Sequence, residues 1–112
     1  MHGKTIEILK SIYDKPLYQL LDELKEQKDE INEVLDTMKL WYRDVVVFKA
    51  TQDSNLLIFK DEQQAIKYMA DHSSFNGLNE IQNAIEKAEV RLKANVGYEL
   101  TIELLLLTLR EN

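Results

Sequence analysis

The sequence predicts an all-α protein, a single bundle of about five to six helices, and two observations lead to this fold class. Three glycines and one proline in 112 residues leave too few turn-forming residues for a many-stranded sheet. Residues that favour helices, such as Leu, Glu, Lys and Gln, are abundant. The composition, 45% hydrophobic and 30% charged, is that of a globular protein, and the length fits one domain over residues 1–112.

The first two helices are separated by the single proline of the chain. Thr5 is a candidate N-cap for a short first helix, and Pro16 ends that helix because it lacks an amide hydrogen. Proline suits the first turn of a helix, so a second helix is expected from this position. Its apolar residues recur at helical spacing: Leu17, Leu20, Leu21 and Leu24.

A long third helix of about six turns is expected after Asp29, a plausible N-cap. Its main apolar stripe consists of Ile31, Leu35, Met38, Tyr42 and Val45. The apolar run over residues 45–48 would favour a strand by propensity. The helical period continues through this run, however, and it is therefore predicted to be helical.

A short fourth helix follows a polar break. The apolar residues 56–59 are too few to classify by period and are expected to be extended and packed on the bundle. Asp61 and Gln64 have the spacing of a capping box, which predicts the start of the helix. A turn over residues 72–77 is expected to end it.

The last helix carries two apolar stripes. A fifth helix, with apolar residues from Leu78 onward, is expected to end near Asn95, and the sixth begins beyond Gly97. One stripe of the sixth helix consists of Tyr98, Ile102, Leu105 and Leu109. The other consists of Leu100, Leu104 and Leu107. A helix that is apolar on two faces needs two partners.

The long helix shows a weaker second face, on which Leu40 and Val47 accompany Arg43 and Asp44. Uncovered apolar residues beside an arginine are typical of protein contacts. A central helix can instead bury both faces within its own chain, and Arg43 can form an internal ion pair with Asp44. The predicted partner surface consists of Leu40, Arg43, Asp44, Val47, Leu100, Leu104 and Leu107.

The residue patterns of catalytic and metal sites are missing from the sequence. Isolated glycines provide no phosphate-binding loop. Residues 71–74, Asp-His-Ser-Ser, have the residue types of a hydrolase triad, but neighbours in sequence cannot converge on one atom, so a turn with an N-cap serine is predicted. There is no cysteine, and neither His2 nor His72 follows a glutamate at the spacing of a two-metal bundle site. We expect no enzyme activity, cofactor, metal or small-molecule substrate.

The net charge of −6 disfavours binding to nucleic acid by the chain itself. The longest apolar run is far shorter than the roughly 20 residues that span a bilayer. We therefore expect no membrane contact and a cytoplasmic location.

Two segments resemble one family. Leu40-Trp41-Tyr42-Arg43-Asp44, followed by three valines, is similar to the Leu-Trp-hydrophobic-Arg-Asp stretch in the carboxy-terminal domains of DNA polymerase III delta-prime subunits. Residues 91–107 resemble the final helix pair of that domain with its Asn-Val-Asn turn, although Gly97 stands where the family usually has Asn. The segments occur in the family's order and separation, and the resemblance covers roughly residue 16 to the end.

The resemblance implies a non-catalytic, all-helical collar domain that packs beside the delta and gamma/tau subunits in the five-membered ring that loads the sliding clamp. The complex would be a DNA-directed DNA polymerase, and the domain would meet DNA only through it. The ATPase-like modules would lie outside this chain. Two alternatives stay open: a generic helical adaptor, and a small-ligand-binding bundle with a pocket lined by Trp41, Tyr42 and Tyr98.

Overall fold

Six α-helices form the part of the chain that the structure, a computed structural model, describes, which is residues 3–112. Met1 and His2 lie outside this range, so the prediction that His2 binds no metal concerns a residue that the structure does not describe. No strand occurs within residues 3–112, so the all-α prediction is confirmed. Three short 3-10 turns precede or join the helices, at Lys28–Glu30, Ser54–Leu56 and Lys60–Glu62. The helices are α1 (Gly3–Lys10), α2 (Leu17–Glu26), α3 (Ile31–Thr51), α4 (Gln63–His72), α5 (Phe75–Lys93) and α6 (Tyr98–Glu111).

The central element is α3, which packs against α1, α4 and α5, while α6 lies against α2 and α5. The apolar run over residues 45–48 is helical, as its periodicity predicts, because Val45 and Phe48 both face the core. The core residues that α3 contributes, all buried, are Val34, Leu35, Met38, Trp41, Tyr42, Val45 and Phe48.

Helix positions agree with the predictions, but two of the predicted N-caps are wrong. Thr5 is buried within α1, because the helix already begins at Gly3. Asp29 lies in a 3-10 turn, and Glu30 occupies the N-cap position of α3. A tight turn in front of a helix supplies its first hydrogen bonds through the backbone, so no capping side chain is needed.

The predicted capping box is also wrong. Asp61 lies in the 3-10 turn Lys60–Glu62, and Glu62 precedes α4 without a side-chain cap bond. Pro16, in contrast, is the residue before α2, and the buried Leu20 and Leu24 confirm the predicted stripe.

Side-chain and backbone hydrogen bonds define both ends of α5. The Ser74 hydroxyl accepts a hydrogen bond from the Gly77 amide at 2.9 Å, so the predicted N-cap serine is confirmed and α5 begins at Phe75, earlier than expected. At the other end Asn95 is left-handed, with φ 59°, and the Val96 amide bonds the Arg91 carbonyl at 2.9 Å. This six-to-one bond is the Schellman end of a helix.

The last helix closes the bundle on the first part of the chain. The Tyr98 hydroxyl donates to the Leu24 carbonyl at 2.7 Å at one end of α6. At the other end the Arg110 guanidinium donates to the carbonyls of Ile12, at 3.0 Å, and Lys15. These bonds fix which side of α6 faces inward.

Candidate interaction surfaces

The outer face of α3, defined here as Leu40, Arg43 and Val47, points away from the core. Leu40 is 38% exposed, and Val47 is half-buried. Arg43 keeps 46% of its side chain accessible. These three predicted site residues therefore share one accessible face of the central helix.

Asp44 departs from its predicted place on this face, because its side chain is completely buried. Both carboxylate oxygens accept the Ile58 amide at 3.0 Å, and one of them also accepts the Phe59 amide at 2.8 Å. Arg43 Nη1 donates to the same carboxylate at 2.8 Å and to the Leu56 carbonyl at 3.0 Å. Asp44 therefore contributes to the outer face of α3 only indirectly, because its carboxylate binds the backbone of the neighbouring segment.

A buried carboxylate is tolerated only when donors compensate for the water that it loses. Two backbone amides and one guanidinium supply them here, and hydrogen bonds to an ionised group are stronger than neutral ones. We call this arrangement the Asp44 lock. It fastens the connecting segment, residues 53–59, to the side of α3.

The connecting segment adds two exposed apolar side chains that sequence reasoning missed. Leu57 is buried, whereas Leu56 and Ile58 on either side of it are each about half exposed, at 48% and 51%. Leu56 ends the 3-10 turn Ser54–Leu56, and the backbone becomes extended at Leu57, which turns the Leu57 side chain inward. The four residues 56–59 are all apolar, so the sequence carried no signal for this pattern, and the run was expected to pack on the bundle as a whole.

The outer stripe of α6, defined as Leu100, Leu104 and Leu107, is the second accessible apolar surface. Leu100 is 55% exposed and Leu104 39%, whereas Leu107 is half-buried. The opposite stripe is inside, with Ile102, Leu105 and Leu109 buried and Tyr98 half-buried, as predicted. Leu106, which neither predicted stripe included, is also buried.

Leu104 also lines a groove of about 280 Å³ between α5 and α6. The lining residues of this α5–α6 groove are Glu80, Asn83, Ala84, Lys87, Arg91, Leu104, Leu105 and Thr108. The groove combines apolar and charged side chains, whereas the stripe beyond it is leucine alone.

The aromatic pocket considered as an alternative does not form. Trp41 and Tyr42 are completely buried, and the indole nitrogen of Trp41 donates to the Met69 sulfur at 3.0 Å. Burial raises the pKa of the Tyr42 hydroxyl, which has no hydrogen-bond partner among residues 3–112. Tyr98 instead bonds the Leu24 carbonyl, and burial raises its pKa to about 12. Trp41 and Tyr42 therefore belong to the core, and Tyr98 attaches α6 to α2.

Residues 71–74 do not form a triad either. His72 lies against the rings of Tyr13, at 4.5 Å, and Tyr68, at 5.5 Å between centroids. Asp71 pairs with Lys67 at 3.2 Å, and Ser74 caps α5. Among residues 3–112 no group of three His, Asp or Glu side chains is placed to hold a metal ion. No helix in the same range has the length and apolar character that crossing a membrane requires.

Comparison with known proteins gives one match. The family described as DNA polymerase III, delta subunit, C terminal, matches residues 5–111. No curated protein and no solved structure matches the chain. The family description names the delta subunit, a neighbour in the clamp loader of the delta-prime subunit that the sequence resembled, so the match confirms the clamp-loader family. Because the match spans nearly the whole chain, the protein belongs to the family of carboxy-terminal domains of DNA polymerase III delta subunits, a non-catalytic part of the clamp loader.

Proposed function

We propose that this domain is a collar domain, which holds its subunit in the clamp-loader ring by packing against the carboxy-terminal domains of neighbouring subunits. The partners are the gamma/tau subunits and one delta-type subunit. The domain meets DNA only through the assembled complex. ATP handling belongs to other modules of the subunit, and the complex works in the cytoplasm.

The observation that carries this proposal is the apolar surface that the bundle leaves uncovered on two of its helices. Leu40 on α3 and Leu100 and Leu104 on α6 remain accessible although the core is filled by other residues. Exposed apolar side chains grouped on one helix face are typical of protein contacts. Family membership supplies the class of partner, since the subunits of a clamp loader form a hetero-oligomer.

The outer face of α3 is also bordered by a segment that hydrogen bonds attach to the helix. The Asp44 lock fixes the connecting segment, and with it Leu56 and Ile58, beside Arg43. A surface that is ordered before binding loses less conformational entropy on association. Arg43 keeps further donors for a partner, because a guanidinium has five N–H groups and only Nη1 is used within residues 3–112.

Assembly with separately purified clamp-loader subunits tests the two surfaces. Leu40→Asp, Arg43→Glu and Leu104→Asp are expected to weaken or abolish co-elution on size-exclusion chromatography. The two aspartates place a charge in an apolar contact, and Arg43→Glu reverses the charge that faces the partner. Tyr18→Asp is the matched control, since Tyr18 is highly exposed on α2, outside both surfaces. If the three surface variants, each confirmed to be folded, assembled as the parent and the Tyr18→Asp control do, the surfaces would be misplaced.

Within the family, we assign the chain to delta-prime, on the similarity of residues 40–47 and 91–107 to that subunit. Adding the chain to purified delta and gamma/tau discriminates between the two assignments. A delta-prime domain completes a ring that contains delta, whereas a delta domain competes with delta for its place. Displacement of labelled delta would assign the chain to the delta subunit instead.

A further inference from the structure

The α5–α6 groove contains two cations that have no partner in the described part of the chain. The side chains of Lys87 and Arg91, one helical turn apart on α5, form no ion pair or hydrogen bond with any of residues 3–112. Lys39, on the other long helix, pairs with Glu89 at 2.7 Å. The side chains of Lys87 and Arg91 therefore keep their hydrogen-bond donors free for a partner.

The Arg91 side chain in particular is suited to a carboxylate. It is half-buried and lies on the groove wall, and its donors have no acceptor among residues 3–112. A guanidinium presents parallel N–H groups that match the two oxygens of a carboxylate. Lys87 lies close enough in sequence, at the i and i+4 positions, to act on the same anion.

The lining beside the cations is mostly polar, and Leu104 provides one accessible apolar side chain on it. Ala84 is small, and Leu104 and Leu105 supply the apolar wall opposite α5. A neighbouring depression shares Lys87 and Arg91 and extends the contact to the exposed Val90. Grooves between two packed helices accept the side-chain ridge of a third helix.

We propose that the α5–α6 groove receives a helix of a neighbouring clamp-loader subunit, which inserts an apolar side chain against Leu104 and pairs a carboxylate with Arg91 and Lys87. This inference rests on the proposed function and names the chemistry of the partner at one of its surfaces. Glu80 lies two turns before Lys87 on the lining, so the partner helix carries a cation towards that end. The same glutamate and the net charge of −6 oppose a phosphate backbone as the occupant.

Charge reversal within the assembled loader tests the groove. Arg91→Glu is expected to weaken the assembly of the complete chain with the other loader subunits on the order of tenfold, and to reduce the dependence of its dissociation constant on salt. Arg91→Gln should show a smaller loss. Lys93→Glu is the matched control, because Lys93 is an exposed cation of the same helix outside the groove and the change in net charge is identical.

The outcomes separate this inference from the proposed function. If Leu40→Asp and Leu104→Asp weaken assembly while Arg91→Glu behaves like Lys93→Glu, the carboxylate contact is refuted and the collar role stands. If none of these variants weakens assembly, both proposals fail. Fluorescence anisotropy with a labelled single-stranded oligonucleotide completes the test, since saturable binding by the parent that Arg91→Glu abolishes would make the groove a phosphate site and overturn the inference.

Discussion

Helices α3 and α6 both carry apolar side chains that the core does not bury, and the surroundings of these side chains differ between the two helices. The outer face of α3 is bordered by the chain's own connecting segment, which the buried Asp44 holds through two backbone amides. Within residues 3–112 the outer stripe of α6 has no such cover, and the cations of the adjacent groove are unpaired. The charged residues beside α3 thus stabilise the fold, whereas the cations beside α6 remain available to bind a partner.

The largest effect that tests this contrast is expected from Asp44→Asn. The amide keeps the shape of the side chain but removes its charge and turns a donor towards other donors, so the free energy of unfolding should fall by about 3 kcal/mol. Urea denaturation measures it. Asp36→Asn, an exposed position on the same helix, should change stability by less than about 0.5 kcal/mol. Equal small effects at both positions would mean that Asp44 does not hold the segment.

A direct comparison of two arginines sharpens the contrast. Arg43→Ala should destabilise the domain by about 1 kcal/mol, because the bonds to Asp44 and the Leu56 carbonyl are lost while the backbone amides still compensate the carboxylate. Arg91→Ala should leave the unfolding free energy within about 0.5 kcal/mol of the parent, since its side chain has no partner in the described range. Thermal unfolding of both variants in one buffer measures the two losses of stability. A larger loss for Arg91→Ala than for Arg43→Ala would contradict the contrast.

The inward side of α6 gives a third, pH-dependent test. Burial raises the pKa of Tyr98 to about 12, above the usual 10, and the hydrogen bond that its hydroxyl donates acts in the same direction. The stability from the protonated hydroxyl is therefore complete below pH 10 and is lost as the pH rises towards 12.

Tyr98→Phe should cost about 1 kcal/mol at neutral pH, and the difference from the parent should shrink between about pH 10 and 12. Tyr68→Phe, at an exposed ring on α4, is the control for general alkaline unfolding. If the difference in unfolding free energy between the parent and Tyr98→Phe stays constant across this range, ionisation of Tyr98 does not contribute to it.

The smallest expected effect concerns the start of α6. Gly97 is the N-cap residue with φ −47°, and apart from its two chain neighbours no residue of the described chain has an atom within 4 Å of the position that a Cβ would take. Gly97→Asn should raise the unfolding free energy by a few tenths of a kcal/mol, because the side chain can accept a free amide of the first turn. A loss of stability would show that the space above Gly97 is needed by the fold.

Periodicity was sufficient to place all six helices, including the valine-rich part of α3, because the spacing of apolar residues reflects burial directly. It failed for Asp44, which by spacing belongs to the outer face. The atoms that bury it belong to Ile58 and Phe59, 14 and 15 residues further along the chain, and no local pattern contains that contact. The predicted caps of α3 and α4 failed for a related reason, since the 3-10 turns before these helices leave the capping side chains outside the helix ends.

The bonds of Arg110 have a consequence for the order in which the domain is built. Its guanidinium reaches back 98 residues in sequence to the Ile12 carbonyl, and Tyr98 reaches back 74 residues to Leu24. During synthesis, which proceeds from the amino terminus, α1 and α2 are made first. They lack their last packing partner until almost the entire domain has been synthesised. Contacts this distant in sequence also slow folding. A nascent chain that lacks α6 leaves the apolar side of α2 without the helix that covers it.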